Sequence, residues 1–133
     1  MIEIRDDAPF DLIEKMRIEV FIKEQGFTSE FDDLDKISTH LVLFEDGIAK
    51  AYLRFYKEKG NYFIGRVLVL KKYRHKFLSS LLIKRAEEMI SSGKIIIHAQ
   101  YDKVGLYKKL GYKETDIKDY DEGVLHTYLY KVL

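Results

Sequence analysis

The sequence predicts an α+β fold in which helices flank one mixed, mostly antiparallel central sheet, built as a single domain over residues 1–133. The chain is 47% hydrophobic, which is enough for one sizeable core, and 133 residues are too few for two comfortable domains. Three strand-like runs follow one another across tight-turn signals, a pattern typical of an antiparallel meander. Helical and strand-like segments then alternate, so helices are expected to pack on the sheet.

The first half of the chain supplies a strand, a helix and the meander. "IEIR" alternates and predicts a strand, and the next segment predicts a helix capped by Asp6 or Asp7 with Pro9 in its first turn. The apolar face of that helix consists of Phe10, Ile13, Met16, Val20 and Phe21. "FTSEFDDLDKIST" is polar and predicts a loop or a short helix. "HLVLFE", "IAKAYLRFYK" and "NYFIGRVLVL" are the three strands, separated by "DG" and "KG".

The second half supplies two helices, one buried strand and a hairpin. A helix follows the turn "KKYRHK", with helical spacing at Leu78, Leu81, Leu82, Arg85, Ala86, Met89 and Ile90, and Gly93 can end it. "KIIIHAQ" is a short apolar strand of the kind that is buried on both faces. "YDKVGLYKKL" predicts a brief helix ending near Gly111, and "YKETDIKDY" with "VLHTYLYKVL" predicts a closing hairpin.

Composition excludes several function classes. Lys and Arg number 23 and Asp and Glu 22, so the net charge of +1 favours neither nucleic acid nor an anionic membrane as a partner. The chain contains no Cys, which excludes disulfides, thiolate metal sites and a Cys nucleophile. The opening "MIEIRDDAPF" has no basic leader region, and no apolar run reaches the length of a membrane span. We therefore expect a cytoplasmic protein.

The basic turn "KKYRHKFLSS" is the first candidate site. A strand that leads through a turn into a helix can present backbone N–H groups and the positive end of the helix dipole to an anion. Arg74, His75 and Lys76 add positive charge there. Taken alone, the segment fits a solvated turn at the start of a surface helix better than an anion site. An RNA-binding module using Lys71, Lys72, Arg74 and Lys76 is a further alternative, although no basic stripe extends this patch.

Four motifs in order carry a resemblance to a known family. They are "RIEVFIKEQG" with "DDLDKISTH", then "IGRVLVLKKYRHKFLSSLL", then "HAQYDKVGLYKKLGY", and last "DEGVLHTYL". From about residue 15 to the end, the chain resembles the GNAT N-acetyltransferase superfamily, specifically its ElaA-like branch. The resemblance implies direct transfer of an acetyl group from acetyl-CoA to a primary amine of a small molecule or peptide. It also implies no metal, and a monomer or homodimer.

The resemblance also assigns roles to residues. It implies that backbone groups of Leu68 and Val69 pair with the pantetheine arm of the cofactor. Backbone N–H groups face its pyrophosphate from the turn residues Arg74, His75, Lys76, Phe77, Leu78 and Ser79. Gln100 contacts the cofactor, or else satisfies backbone groups at the strand end. Tyr107 protonates the departing thiolate, since a phenol remains protonated at neutral pH. The base that deprotonates the amine is Glu24, His40 or His126. A lone histidine on a strand, such as His126 on the strand face of Tyr128, is more often a structural residue than a base.

The turn departs from the family pattern of Arg or Gln, two residues, Gly, one residue, then Gly or Ala. Phe77 and Ser79 occupy the two small positions. We expect the Phe77 ring to point into the core with helical backbone angles, leaving a weakened CoA site. The alternative is a binding protein that has lost catalysis, with Phe77 filling the pyrophosphate site. Arg54 and Arg66 are expected to pair with Asp32 or Asp35 as structural ion pairs.

Overall fold

The structure is a computed structural model that describes residues 1–28, 30–74 and 77–133. Within these residues, seven strands form one sheet in the order β1-β2-β3-β4-β5-β7-β6. The strands are β1 (Ile2–Arg5), β2 (Thr39–Glu45), β3 (Ile48–Glu58), β4 (Asn61–Val69), β5 (Lys94–Gln100), β6 (Lys113–Asp121) and β7 (Val124–Val132). Only β4 and β5 pair in parallel, and the other neighbours are antiparallel. The predicted α+β class and mixed sheet are confirmed.

The described part of the chain also contains three α-helices, which are α1 (Phe10–Arg17), α2 (Leu78–Ile90) and α3 (Val104–Lys109). A π-helix (Ile18–Glu24) continues α1, and short 3₁₀ helices cover Asp33–Lys36, Lys71–Tyr73 and Tyr101–Lys103. Among the described residues, none of the helices is both long and apolar enough to pass through a membrane.

The prediction that Asp6 or Asp7 caps α1 is wrong. Pro9 occupies the capping position, and no side chain caps the helix. Asp7 is engaged elsewhere, because its carboxylate accepts a hydrogen bond from Arg5 Nε at 3.0 Å. Phe10 is also half exposed instead of joining the core. The other four predicted apolar positions of this helix are buried, so its packing face is otherwise as predicted.

Each face of the sheet carries its own core. On one face, α2 and α3 cover a cluster whose fully buried members include Leu53, Leu82, Ile83, Ile95 and Leu129. On the other face, α1 and the π-helix pack on β2, β3 and β4. The buried residues of this second cluster are Ile13, Met16, Val20, Phe21, Val42, Tyr52 and Leu68. Each fully buried aliphatic side chain contributes about 1.5–3 kcal/mol, so the two clusters account for much of the fold's stability.

A bulge interrupts β4 at its centre. Gly65 pairs with Arg54 and Leu68 with Tyr52, so β4 has one more residue than β3 between these two pairs. Arg66, within the bulge, has a left-handed backbone conformation with φ 54°. A bulge bends its strand and shifts the alternation of side chains by one residue. As a result, Val67 and Val69 pack on the same core as Ile64, and the end of β4 turns away from β5.

Candidate active site

A cleft opens where β4 and β5 separate. The two strands pair from Tyr62 opposite Ile95 to Ile64 opposite Ile97, and their carboxyl ends diverge beyond that point. A cavity of about 310 Å³ lies in the gap, lined by the π-helix, β4, the start of α2, β5, α3 and the β6–β7 hairpin. Divergent carboxyl ends of neighbouring strands are a common place for ligands in sheets that carry helices on both faces.

The edge of β4 presents backbone groups to this cleft. The Leu70 N–H donates to the Lys50 carbonyl at 2.9 Å, and in the same register Leu68 exchanges hydrogen bonds with Tyr52. Strand alternation therefore turns the N–H and C=O groups of Val67 and Val69 toward the cleft. The predicted backbone role of Leu68 is corrected, because its N–H and C=O point into the sheet and only its side chain reaches the cleft.

Arg74 and Glu24 form a bidentate ion pair beside the cleft. Arg74 Nη2 donates to Glu24 Oε1 at 2.6 Å, and Nη1 donates to the other carboxylate oxygen. Arg74 Nε also donates to the Val69 carbonyl at 2.9 Å, which leaves the Val69 N–H as the open group. The hydrogen bonds from Arg74 hold the pKa of Glu24 below its usual range. Glu24 does not line the cavity and its carboxylate is bound by Arg74, so it is poorly placed to take a proton there.

The turn before α2 has the backbone shape that glycine adopts most easily, although Phe77 occupies it. Phe77 has φ 58° and ψ 23°, and it is 80% exposed. The expectation of helical angles and an inward ring is therefore wrong. Phe77 directly precedes Leu78, the first residue of α2, and its left-handed backbone goes with a ring that is exposed to solvent. Leu78 and Ser79 line the cleft with it, whereas His75 and Lys76 lie outside the described residues.

Tyr107 lies on α3 at the inner wall of the cleft. Its side chain is buried against Tyr112, with the two rings edge to face at 6.3 Å between centroids. Within the described part of the chain, its hydroxyl forms no hydrogen bond, although the ring lines the cavity. Burial raises the pKa of Tyr107 above its usual value, so the phenol keeps its proton. The arrangement leaves a protonated hydroxyl available to a ligand.

The two predicted histidine bases have different environments. His126 is buried on β7 and lines the cavity, with Nδ1 2.9 Å from the Val124 carbonyl. A carbonyl only accepts, so Nδ1 carries the hydrogen and Nε2 is the basic nitrogen of the neutral ring. His40 uses both nitrogens, one with the Asp35 carbonyl at 2.9 Å and one with Tyr52 Oη at 2.6 Å. Since His40 also lies away from the cavity, it is a structural residue.

Gln100 ends β5 at the rim of the cleft. Its Nε2 donates to Gln25 Oε1 at 2.7 Å, which ties β5 to the segment directly after the π-helix. Gly26 follows with φ 80° and ends that helical segment. Gln100 therefore lines the cavity and at the same time donates a hydrogen bond to Gln25 on the opposite wall of the cleft.

Two groups in the cleft were missed by the sequence analysis. His98 lines the cavity from β5, and its Nε2 lies 2.7 Å from Asp119 Oδ1 on β6. Glu30 is buried in the wall, where desolvation raises the pKa of its carboxyl above the usual value. The signal for His98 was its position two residues before Gln100 in an apolar strand, which places both side chains on one face. Glu30 lies in a polar loop with no local pattern.

A buried ionic cluster supports the wall that contains Glu30. Arg17 is fully buried and donates to Glu30 at 2.8 Å and to Asp35 at 2.6 Å. Arg54 donates to Asp32 at 2.7 Å and to Asp35 at 2.8 Å, as the sequence analysis predicted. Arg66 bridges Glu30 at 3.0 Å and Asp32 at 3.4 Å. In the parts of the chain that the structure describes, no acidic or histidine cluster is arranged to hold a metal ion.

Comparisons with known proteins agree with this architecture. The model of the acetyltransferase (GNAT) domain family matches residues 8–133. The chain is 30% identical over 122 residues to YjcF of Bacillus subtilis (strain 168), which is named an uncharacterized N-acetyltransferase, and the match covers 87% of each chain.

Solved structures share the fold at lower identity. Escherichia coli ElaA superposes with a TM-score of 0.82 at 19% identity, covering 98% of this chain and 99% of ElaA. Arabidopsis thaliana Naa50, in complex with the bisubstrate analogue CoA-Ac-MVNAL, gives a TM-score of 0.76 at 20% identity, covering 99% of both chains. With the family model spanning nearly its whole length, the chain belongs to the GNAT acetyltransferase family.

Proposed function

We propose that the protein is an acetyl-CoA-dependent N-acetyltransferase that acts on a primary amine. The observation that carries this proposal is the pair of chemically opposite groups in the cleft between β4 and β5. The protonated Tyr107 hydroxyl lines it from the α2 side of the sheet, and basic imidazoles line it from the α1 side. An acid and a base on opposite sides of one gap suit a reaction in which one group leaves as another attacks.

The residues of the cleft are suited to hold the cofactor. The Val69 N–H and the backbone groups of Val67 can pair with an extended amide-containing arm, as an added strand pairs with a sheet edge. The N-terminus of α2 and the guanidinium of Arg74 can attract phosphates. Acetyl-CoA, when bound, supplies an activated acetyl thioester and a thiolate leaving group. Naa50 has the same fold and binds a CoA-containing bisubstrate analogue, which supports the choice of cofactor.

Tyr107 acts as the proton donor in this proposal. Its burial keeps the phenol protonated, and its hydroxyl has no competing partner among the described residues. The hydroxyl can therefore donate to sulfur as negative charge develops there. Because a thiolate is a good leaving group, this donation is worth roughly tenfold to a hundredfold in rate, the low end of acid catalysis.

The acceptor is a primary amine of a small molecule or a peptide. Its ammonium form must lose a proton before attack, so a base must lie within reach. Of the three bases that the sequence suggested, only His126 lines the cleft. This supports the imidazole side of the cleft as the place where the acceptor nitrogen is deprotonated.

Two variants of Val69 test cofactor binding. Val69→Pro removes the cleft-facing N–H without removing a bond between β3 and β4, and Val69→Ala keeps that N–H. By calorimetry, Val69→Pro is expected to weaken acetyl-CoA binding about two- to tenfold relative to Val69→Ala, which corresponds to one neutral hydrogen bond. Equal affinities in the two variants would contradict an added-strand mode of binding.

Tyr107→Phe tests catalysis. At saturating acetyl-CoA and with a panel of primary amines, its rate of thiol release should fall roughly tenfold to a hundredfold while acetyl-CoA affinity stays unchanged. Binding of acetyl-CoA without thiol release from any amine would instead support a binding protein that has lost catalysis. The absence of binding at millimolar acetyl-CoA would overturn the proposed function itself.

A further inference from the structure

The rings of His98 and His126 contact each other on the α1 side of the cleft, tilted by 34°. Register places His98 beside Tyr128 and Gln100 beside His126, so these side chains share one face of β5 and β7. The His98 ring lies 4.6 Å from that of His126 and 4.5 Å from that of Tyr128, measured between centroids. Both imidazoles line the cavity, so each is near the place where an acceptor nitrogen would react.

The carboxylate of Asp119 distinguishes the two rings. Asp119 Oδ1 lies 2.7 Å from His98 Nε2, and an ionised carboxylate only accepts, so Nε2 carries the hydrogen. The neutral His98 ring therefore has its lone pair on Nδ1. A carboxylate on one nitrogen fixes the tautomer and stabilises the imidazolium that forms when the other nitrogen takes a proton. His126 lacks this support in the described structure, because its Nδ1–H is bound to the neutral Val124 carbonyl.

We propose that His98, held by Asp119, is the general base of the acetyl transfer, with His126 as its uncharged neighbour. This inference rests on the proposed function. The acceptor ammonium gives a proton to His98 Nδ1, and the freed lone pair forms the new bond to the acetyl carbon. The pair of electrons of the carbon–sulfur bond leaves with sulfur, which receives a proton from Tyr107. The nitrogen of the new amide loses its second proton after the carbon–nitrogen bond forms. His98 releases its proton to solvent and Tyr107 regains one, so the cycle yields the amide, the thiol and one net proton.

The surroundings of the pair favour a single charge on His98. Two imidazolium rings at this separation would repel, so a charge on His98 beside Asp119 opposes a second charge on His126. Other charged or titratable groups facing this part of the cleft are Asp121 on β6, Tyr128 on β7, Glu30 and Arg66 in the wall, and Lys103 before α3. Glu30 and Arg66 neutralise each other at 3.0 Å, which leaves Asp119 as the charge in direct contact with an imidazole.

Nitrogen-15 NMR of the histidine rings tests the arrangement without any acceptor. In the full-length protein, His98 is expected as the neutral tautomer with hydrogen on Nε2. Asp119→Asn should mix the two neutral tautomers, because an amide can present either its oxygen or its nitrogen to Nε2. A neutral His98 with hydrogen on Nδ1, or an unchanged tautomer in Asp119→Asn, would overturn the proposal.

Kinetics with 2-phenylethylamine, spermidine and lysine methyl ester as acceptors tests the role itself. His98→Gln should abolish the acidic limb of the kcat/KM profile and lower the rate at pH 7 about a hundredfold. Asp119→Asn should move that limb to lower pH, and His126→Gln should retain the limb whatever its rate. Retention of the wild-type acidic limb in His98→Gln would refute the assignment of His98 as the base and leave the proposed function standing. If the wild-type protein releases no thiol with any of these amines, both the proposed function and the assignment of His98 fail.

Discussion

The left-handed conformation of Phe77 predicts an unusual order of stabilities for two substitutions. Phe77→Ala and Phe77→Gly both delete a ring that is 80% exposed, so they differ only in the presence of Cβ. A Cβ in the left-handed region costs about 1–2 kcal/mol. Glycine loses about 0.5–1 kcal/mol more backbone entropy on folding than alanine. The difference leaves Phe77→Gly more stable than Phe77→Ala by about 0.5–1 kcal/mol.

A matched pair at Lys84 provides the control. Lys84 is exposed in the middle of α2, where the backbone is helical. There the usual order holds, and Lys84→Gly should be about 1 kcal/mol less stable than Lys84→Ala. The same exchange of alanine for glycine therefore has opposite signs at two positions only seven residues apart.

Urea unfolding of the four variants measures both differences, provided that the m-values agree. Acetyl-CoA affinity should follow the order of stability at position 77, because glycine holds the turn before α2 at no steric cost. If Phe77→Ala is as stable as Phe77→Gly, the left-handed turn is not the solution conformation. The expectation that Phe77 has helical backbone angles would then hold.

Three further predictions concern charged groups. Glu24→Gln should tighten acetyl-CoA binding about two- to fivefold, because it frees Arg74 from a competing carboxylate, and weaker binding by calorimetry would contradict this. Arg17→Ala should lower the free energy of unfolding by about 3–5 kcal/mol, because Glu30 and Asp35 each lose one of their two arginine partners and a fully buried side chain leaves a cavity. The exposed Arg5→Ala should cause no measurable loss, and a small loss from Arg17→Ala would refute the argument. The hydrogen bond from Arg54 lowers the pKa of the Asp32 carboxyl. The contribution of this ion pair to stability is therefore present above the unfolded-state pKa of about 3.9 and is lost as the pH falls below that pKa. Asp32→Asn should flatten that acid-side loss in urea titrations between pH 6 and pH 3, and an unchanged slope would argue against the pairing.

Local patterns in the sequence were sufficient for the secondary structure and for part of the cleft. Side-chain alternation and turn residues define the strands, and the spacing of Leu78, Leu82, Ala86 and Ile90 defines the buried face of α2. The motif around Tyr107 placed a tyrosine on a short helix after an apolar strand, where the structure has it. The prediction that this strand is buried on both faces is wrong, because β5 buries only the face of Ile95, Ile97 and Ala99. These features follow from neighbours within a few residues, which is the range over which a linear pattern carries information.

Tertiary structure decided how those elements meet, and therefore which side chains share the cleft. The bulge at Arg66 sets the pairing between β3 and the end of β4. Because of this pairing, the backbone N–H and C=O groups of Val67 and Val69 face the cleft, whereas those of Leu68 face β3. Glu24 contacts Arg74 across 50 positions of sequence, and this contact removes it from the proposed bases. His98 meets Asp119 only because β7 and β6 lie in order beside β5. Such contacts depend on strand order and register, which are properties of the whole sheet, so no local pattern of residues could reveal them.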